Sequence, residues 1–310
     1  MELKDKKILI TGGSGFLGSA VISELLKQSV PHENIFAPRS SEYDLRLLDS
    51  CKSVVKDCDL VIHLAGVTGN TEFHRTHPAK IFYDNLMMGI QLMNAAREAK
   101  VKKFVSAGSV AEYPENAPVP FREDDLWSGF PELTHGPYAV AKRLLLVQGQ
   151  AYRSQYNFNA IHLLFTNMYG PGESLKWGFV IPSIIKKIWE SKKEKSNYID
   201  VWGTGKPTRD FLYVKDAARA VILALRDYEK SDPVNIGSGK EISVRELVTL
   251  IAKLSKFEGE IRFDASKPDG HMRRLLDTTR AKSEFGFAAS TDFEDGLKET
   301  IAWHLKDFEL

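Results

Sequence analysis

Four short runs dominated by apolar residues, at 7–11, 60–65, 103–106 and 160–165, alternate with longer stretches where apolar residues recur every three or four positions. An unbroken apolar run suits a strand buried on both faces, whereas the longer spacing suits a helix with one covered face. The pattern predicts helices at 18–28, 81–99 and 137–156, and so an α/β fold built on a doubly wound parallel sheet over residues 1–165. Past Gly170 the rhythm changes. Helices expected at 182–193, 214–226 and 243–256, with a strand at 198–202, do not continue the simple alternation. A smaller C-terminal domain is therefore expected over 166–310, with residues 211–237 allowed to return to the first.

Composition narrows the function classes. The 310 residues are 43% hydrophobic and 27% charged with a net charge of +1, an ordinary globular balance with no bulk field for nucleic acid or an anionic membrane. An anionic ligand must be held by a few local cations. The Lys-rich segment 186–195 reads as a solvated helix end rather than a nucleic-acid patch. No apolar run approaches the roughly 18 residues of a membrane span, and the charged start leads straight into a strand, so a cytoplasmic protein is expected. Cys51 and Cys58 are too far apart for a redox CxxC pair and lack zinc-type partners, which predicts reduced thiols and no metal site.

The first strand runs into Thr11-Gly12-Gly13-Ser14-Gly15-Phe16-Leu17-Gly18, which then opens a helix. Glycines let the backbone turn tightly against a pyrophosphate, and the helix N-terminus offers free N–H groups and partial positive charge. The run parses as GxGxxG from Gly13 or as GxxGxxG from Gly12; either way its place between strand and helix predicts a Rossmann dinucleotide-binding domain. The second strand, near 34–37, carries no Asp or Glu at its end for a ribose 2′-hydroxyl. Arg39 lies just beyond it, which favours NADP over NAD.

Tyr138 and Lys142 stand four apart on an expected helix, so both emerge on one face. A neighbouring ammonium, together with an oxidised nicotinamide, is expected to lower the phenol from its ordinary value of about 10 toward neutrality. Tyr138 then exchanges a proton with a sugar hydroxyl or ketone while hydride moves to or from the cofactor. Ser109, past the strand Phe104-Val105-Ser106, supplies a hydrogen bond to the same oxygen.

With these residues in place, the chain resembles the extended short-chain dehydrogenase/reductases of the NAD-dependent epimerase/dehydratase superfamily, and more narrowly the GDP-L-fucose synthase family. The resemblance covers nearly all the residues. It rests on residues 11–18, His63-Leu64-Ala65-Gly66, residues 108–114, the Tyr138/Lys142 pair and Thr166-Asn167-Met168-Tyr169-Gly170-Pro171. More diagnostic are Val201-Trp202-Gly203-Thr204-Gly205, Arg209-Asp210-Phe211, Val234-Asn235-Ile236-Gly237 and residues 264–277, which read DASKPDGHMRRLLD. It implies reduction of the 4-keto group of a nucleotide-linked 4-keto-6-deoxyhexose with NADPH, preceded by epimerisation at C3 and C5. It also implies that Ser109, Tyr138 and Lys142 are catalytic and that the C-terminal domain binds the nucleotide sugar. Cofactor contacts are implied for Gly12, Gly15, Phe16, Leu17, Gly18, Arg39, Asp44, Leu45, Leu64, Ala65, Gly66, Lys142 and Phe165. Substrate contacts are implied for Asn167, Val180, Trp202, Arg209 and Arg274. Arginine suits phosphate, and tryptophan can stack on a base. A homodimer is expected through helices 81–99, with Met87, Met88 and Met93, and 137–156, with Leu144, Leu145 and Leu146.

The chain also departs from that family. Its epimerisation is assigned to a Cys two residues after the catalytic Ser and a His just before a Val-Ile-Pro run; Ala111 and Phe179 stand there instead. A related dehydratase would carry Asp-Glu directly after the Ser or Thr, but Val110 and Ala111 follow Ser109. Glu112 is one place off, and on an extended segment it would point to the other face. The expectation is hydride chemistry at C4 without either side activity. A 4-epimerase with retained NAD is the alternative enzyme. A non-catalytic dinucleotide-binding scaffold is the third reading, against which the intact Ser109, Tyr138 and Lys142 argue.

Overall fold

The computed structural model describes residues 1–267 and 269–309, so Pro268 of the DASKPDGHMRRLLD motif lies outside the described residues. In chain order the first elements are β1 (Ile8–Thr11), α1 (Phe16–Lys27), β2 (Ile35–Phe36), α2 (Leu48–Val54), β3 (Leu60–His63), α3 (Thr71–Thr76), α4 (Pro78–Glu98), β4 (Lys103–Ser109), α5 (Gly136–Tyr156) and β5 (Ala160–Phe165). Then come β6 (Asn167–Tyr169), α6 (Val180–Lys193), β7 (Tyr198–Trp202), β8 (Thr208–Tyr213), α7 (Val214–Asp227) and β9 (Val234–Ile236). The chain closes with β10 (Glu241–Ser243), α8 (Val244–Leu254), β11 (Glu260–Asp264), β12 (Arg273–Arg274), α9 (Thr279–Phe285) and α10 (Phe293–Glu309).

Six parallel strands form the expected doubly wound sheet in the order β2-β1-β3-β4-β5-β9. Successive strand residues point to opposite faces, which explains the unbroken apolar runs. Ile8 and Ile10 pack with Val21 and Leu25 of α1 and Ala217 and Val221 of α7; Leu9 packs on the other face with Val54, Leu92 and Leu145 of α2, α4 and α5. The chain leaves β1 toward β2 and returns to β3 on the far side of β1. The crevice between the ends of β1 and β3 is thus the switch point where such sheets hold ligands.

The smaller part carries β6, β8, β10 and β12 in one sheet, with β7 and β11 paired beside it. Its core comes from Ile181, Ile185 and Ile188 of α6, Val248 and Ile251 of α8, and Leu297 and Ile301 of α10. The chain then crosses back: α7 covers the large sheet and β9 joins it beside β5, whereas β8 stays in the small sheet between β10 and β12. Ala281, Phe285 and Phe287 also pack into the large core.

The helix expected from 182 starts at Val180, because Pro182 tolerates a first turn where its missing N–H has no partner to lose. Ser243 is the N-cap of α8, its hydroxyl accepting from Glu246 N at 3.1 Å. On the face expected to pair two subunits, Met93, Leu145 and Leu146 are buried within the chain. Leu144, Val147 and Tyr83 are exposed there. Among the described residues no helix is long and apolar enough to cross a membrane.

Candidate active site

The turn after β1 is built for an anion. Gly12 adopts φ +71°, and a Cβ there would stand 2.8 Å from Ala65 N, so this turn lies directly against the loop after β3. Thr11 ties the two together: its carbonyl accepts from Leu64 N at 3.1 Å, and its Oγ1 accepts from Ala65 N at 3.3 Å. The same hydroxyl meets His63 Nδ1 at 2.8 Å, and burial pushes that imidazole down to about 3, so it is neutral. Gly15 caps α1 without a side-chain bond, Phe16, Leu17 and Gly18 form its first turn, and no acidic residue opposes the helix's positive end. This cradle fits the pyrophosphate of a dinucleotide.

Around it, Gly66 leaves room for Lys142, whose Nζ lies 3.5 Å from where a Cβ at Gly66 would stand. Arg39 is exposed on the loop after β2. Asp44 pairs with Arg46 at 2.7 Å, which holds its carboxyl down near 2, and Leu45 is buried behind it. Phe165 ends β5 in register with Ser109.

Ser109 is the last residue of β4, and its Oγ accepts from Ala111 N at 3.2 Å. Tyr138 and Lys142 share one face of α5, with Nζ 5.8 Å from the phenol ring centre. Burial pushes Lys142 down to about 8. Burial, reinforced by the Glu112 carboxylate, lifts Tyr138 well above the usual phenol range. The lowering expected from sequence counts on an oxidised nicotinamide as well as on Lys142, and in the ligand-free site the phenol is shifted the other way. The ligand-free phenol is protonated, because desolvation and the Glu112 carboxylate both disfavour the phenolate. A second correction concerns Glu112. Residues Val110–Glu112 form a 3-10 turn rather than an extended segment, and the Glu112 carboxylate curls back beneath Ser109.

The structure adds polar groups that sequence reasoning missed. The His74 ring packs edge-on to Tyr138 at 5.5 Å and lies 4.6 Å from the His135 ring. Glu132 grips His135 through Nδ1 at 2.5 Å and Thr134 N at 2.9 Å. His271 stands within range of Arg274 and Arg209, and burial with those two cations pushes it down to about 4. His74 comes from α3, Glu132 and His135 from the turn before α5, and His271 from the segment before β12, so no spacing along the chain signals the meeting of these three segments.

Beyond the histidines lies a second cationic seat. Arg209 on β8 and Arg274 on β12 are registered side by side on neighbouring parallel strands. Burial pushes the Arg209 guanidinium down to about 10, and Arg274 contributes to the fall. Two adjacent half-buried cations call for an anion between them. Asn167 Nδ2 donates to Asp210 O at 3.2 Å on the adjoining β6. Trp202, at the end of β7, is 68% exposed and so open to stacking, whereas Val180 begins α6. No metal-binding group of three occurs among the described residues.

A protonated phenol held beside a dinucleotide cradle is the equipment of a nicotinamide-dependent enzyme, and fold and site together define that class. Residues 8–237 match the NAD dependent epimerase/dehydratase family. The chain is 35% identical to GDP-L-fucose synthase 1 of Arabidopsis thaliana over 99% of its own length and 95% of that protein's. Its fold is similar to a GDP-L-fucose synthetase from Naegleria fowleri, with a TM-score of 0.91 and 27% identity over 100% of this chain and 96% of that one. It is also similar to a GDP-mannoheptose C4 reductase from Campylobacter jejuni with NADP bound, with a TM-score of 0.88 and 27% identity over 98% and 99% of the two chains. The chain therefore belongs to the NAD-dependent epimerase/dehydratase family and is an enzyme.

Proposed function

We propose that the protein is an NADP-dependent reductase acting at C4 of a nucleotide-linked 4-keto sugar, and that it lacks 3,5-epimerisation. The observation that carries the substrate class is the Arg209/Arg274 pair, two adjacent half-buried cations suited to a phosphate-bearing ligand. The names of the relatives, a GDP-L-fucose synthase and a GDP-mannoheptose C4 reductase with NADP bound, support the same reading. Arg39 supports the choice of NADP.

When bound, the nicotinamide supplies the hydride that adds to C4. Tyr138, protonated in the ligand-free site, gives its proton to the C4 oxygen. Ser109 donates a hydrogen bond to that oxygen and polarises the carbonyl. Lys142, charged below about pH 8, stabilises the phenolate that remains. Its charge is lost as pH rises through that value. Asn167 and Trp202 meet the sugar and base, and Arg209 with Arg274 anchors the phosphates. Ala111 and Phe179 carry no ionisable group, so neither can move a proton at C3 or C5.

The test is turnover of a nucleotide-linked 4-keto-6-deoxysugar in deuterated water. NADPH oxidation without enzyme-dependent deuterium at C3 or C5 is expected. Rapid labelling at both carbons would restore full fucose-synthase chemistry, and conversion without net NADPH oxidation would favour the 4-epimerase with retained NAD. Tyr138→Phe removes the proton donor, a group worth about 10²–10⁴-fold in rate, and retained turnover would overturn the mechanism.

A further inference from the structure

Glu112 is fully buried, yet no step of the proposed reaction uses it. One carboxylate oxygen accepts from Ser109 N at 2.7 Å, and the other lies 3.1 Å from His162 Nε2. On the far side of that imidazole, Ser106 Oγ stands 2.7 Å from Nδ1. Ser106 Oγ also donates to the Ile161 carbonyl at 3.2 Å, and the imidazole bridges that hydroxyl and the Glu112 carboxylate through its two nitrogens. This hydroxyl–imidazole–carboxylate row is sealed from solvent, with Ser106 and His162 each 1% exposed. No substrate reaches Ser106, so the row is not a nucleophilic triad.

The row fastens three elements of the site at one residue. Ser106 and Ser109 belong to β4, and His162 belongs to β5. A Cβ at Gly108 would overlap both His162 Nε2 and Glu112 Oε1, so only glycine admits the pair. From α5, Arg143 donates through Nε at 2.7 Å, and also through Nη2, to the Glu112 carbonyl. Arg143 follows Lys142 directly. Turn capping accounts for the bond to Ser109 N alone. An amide would serve that N–H without a buried charge.

We propose that the Glu112–His162 pair is a positioning device for this site: it fixes the backbone of Ser109 and sets one carboxylate behind Tyr138 and Lys142. The groups facing that carboxylate are Tyr138, Lys142 and Arg143 from α5, His162 from β5 and Tyr113 from its own loop. Its charge favours the protonated forms of both Tyr138 and Lys142. The pair thus keeps the proton donor loaded and its neighbouring ammonium charged.

The first measurement needs neither cofactor nor sugar: competitive acetylation of Lys142 across pH, read by mass spectrometry on the ligand-free protein. Glu112→Gln keeps an acceptor for Ser109 N and removes the charge, and it should move the Lys142 midpoint down from about 8 by roughly 1 unit. Glu112→Asp should restore the midpoint. A midpoint in Glu112→Gln equal to the parent's overturns the electrostatic part. The second measurement is NADPH turnover, which rests on the proposed function. Glu112→Gln should lower kcat by roughly tenfold or more with KM for NADPH unchanged, and a kcat within about twofold of the parent overturns the positioning part. Should Glu112→Gln yield no folded protein, His162→Gln is read in the same assays. It keeps the carboxylate and a neutral donor, so a retained Lys142 midpoint with a lowered kcat is expected, and parental kcat overturns the proposal. A parent that turns over no 4-keto sugar counts against the proposed function and leaves the Lys142 titration readable.

Discussion

Replacing Arg274 with glutamine should stabilise the ligand-free protein and weaken it toward its ligand. Arg209 and Arg274 are neighbours in register, and the Arg209 guanidinium falls from 12.5 to about 10, chiefly by burial and next through Arg274. That fall corresponds to roughly 3 kcal/mol spent keeping Arg209 charged at neutral pH. Because the folded value is the depressed one, the cost is fully present below about pH 10 and disappears only above the ordinary guanidinium value. Removing the second cation relieves the smaller share, on the order of 1 kcal/mol, which raises Tm by about 2 °C for a chain of this size. A nucleotide diphosphate reverses the sign, since losing one charge-assisted contact costs roughly 1.5–3 kcal/mol, about ten- to a hundredfold in Kd. At about 100 times its Kd such a ligand stabilises the parent by about 2.7 kcal/mol, but the variant by only about 1.4 or 0.4 kcal/mol after tenfold or hundredfold weakening. Thermal unfolding with and without GDP-, UDP-, CDP- and dTDP-sugars reads both signs and ranks the bases. A lower ligand-free Tm together with a parental ligand-induced shift would refute the twin-cation seat.

Two further predictions concern the cofactor and the assembly. Arg39→Ala should lose roughly ten- to a hundredfold in NADP affinity while leaving NAD binding nearly unchanged, measured by fluorescence titration; equal loss for both dinucleotides, or a parent that prefers NAD, counts against it. Tyr83, Leu144 and Val147 are exposed on α4 and α5, and a homodimer through that face is expected. A monomeric mass in light scattering at micromolar concentration would reject it.

Local patterning alone determines a good part of this protein. The strands of the large sheet are legible because Ile8, Leu9, Ile10, Val61 and Phe104 are buried whichever way they point, and so leave unbroken apolar runs. The shared face of Tyr138 and Lys142 follows from helical periodicity, and the glycine turn from its place between strand and helix. Strand pairing decided what lies far apart in the chain. It put Arg274 beside Arg209, took β9 back to β5, and kept β8 in the small sheet, since register between distant segments leaves no local pattern. Packing of α3 onto the start of α5 brought His74 against both Tyr138 and His135. Burial decided the chemistry. Tyr138 holds its proton more tightly than its neighbour Lys142 suggests, and Glu112 turns inward under Ser109, because both answer to desolvation and to partners that only the folded chain assembles.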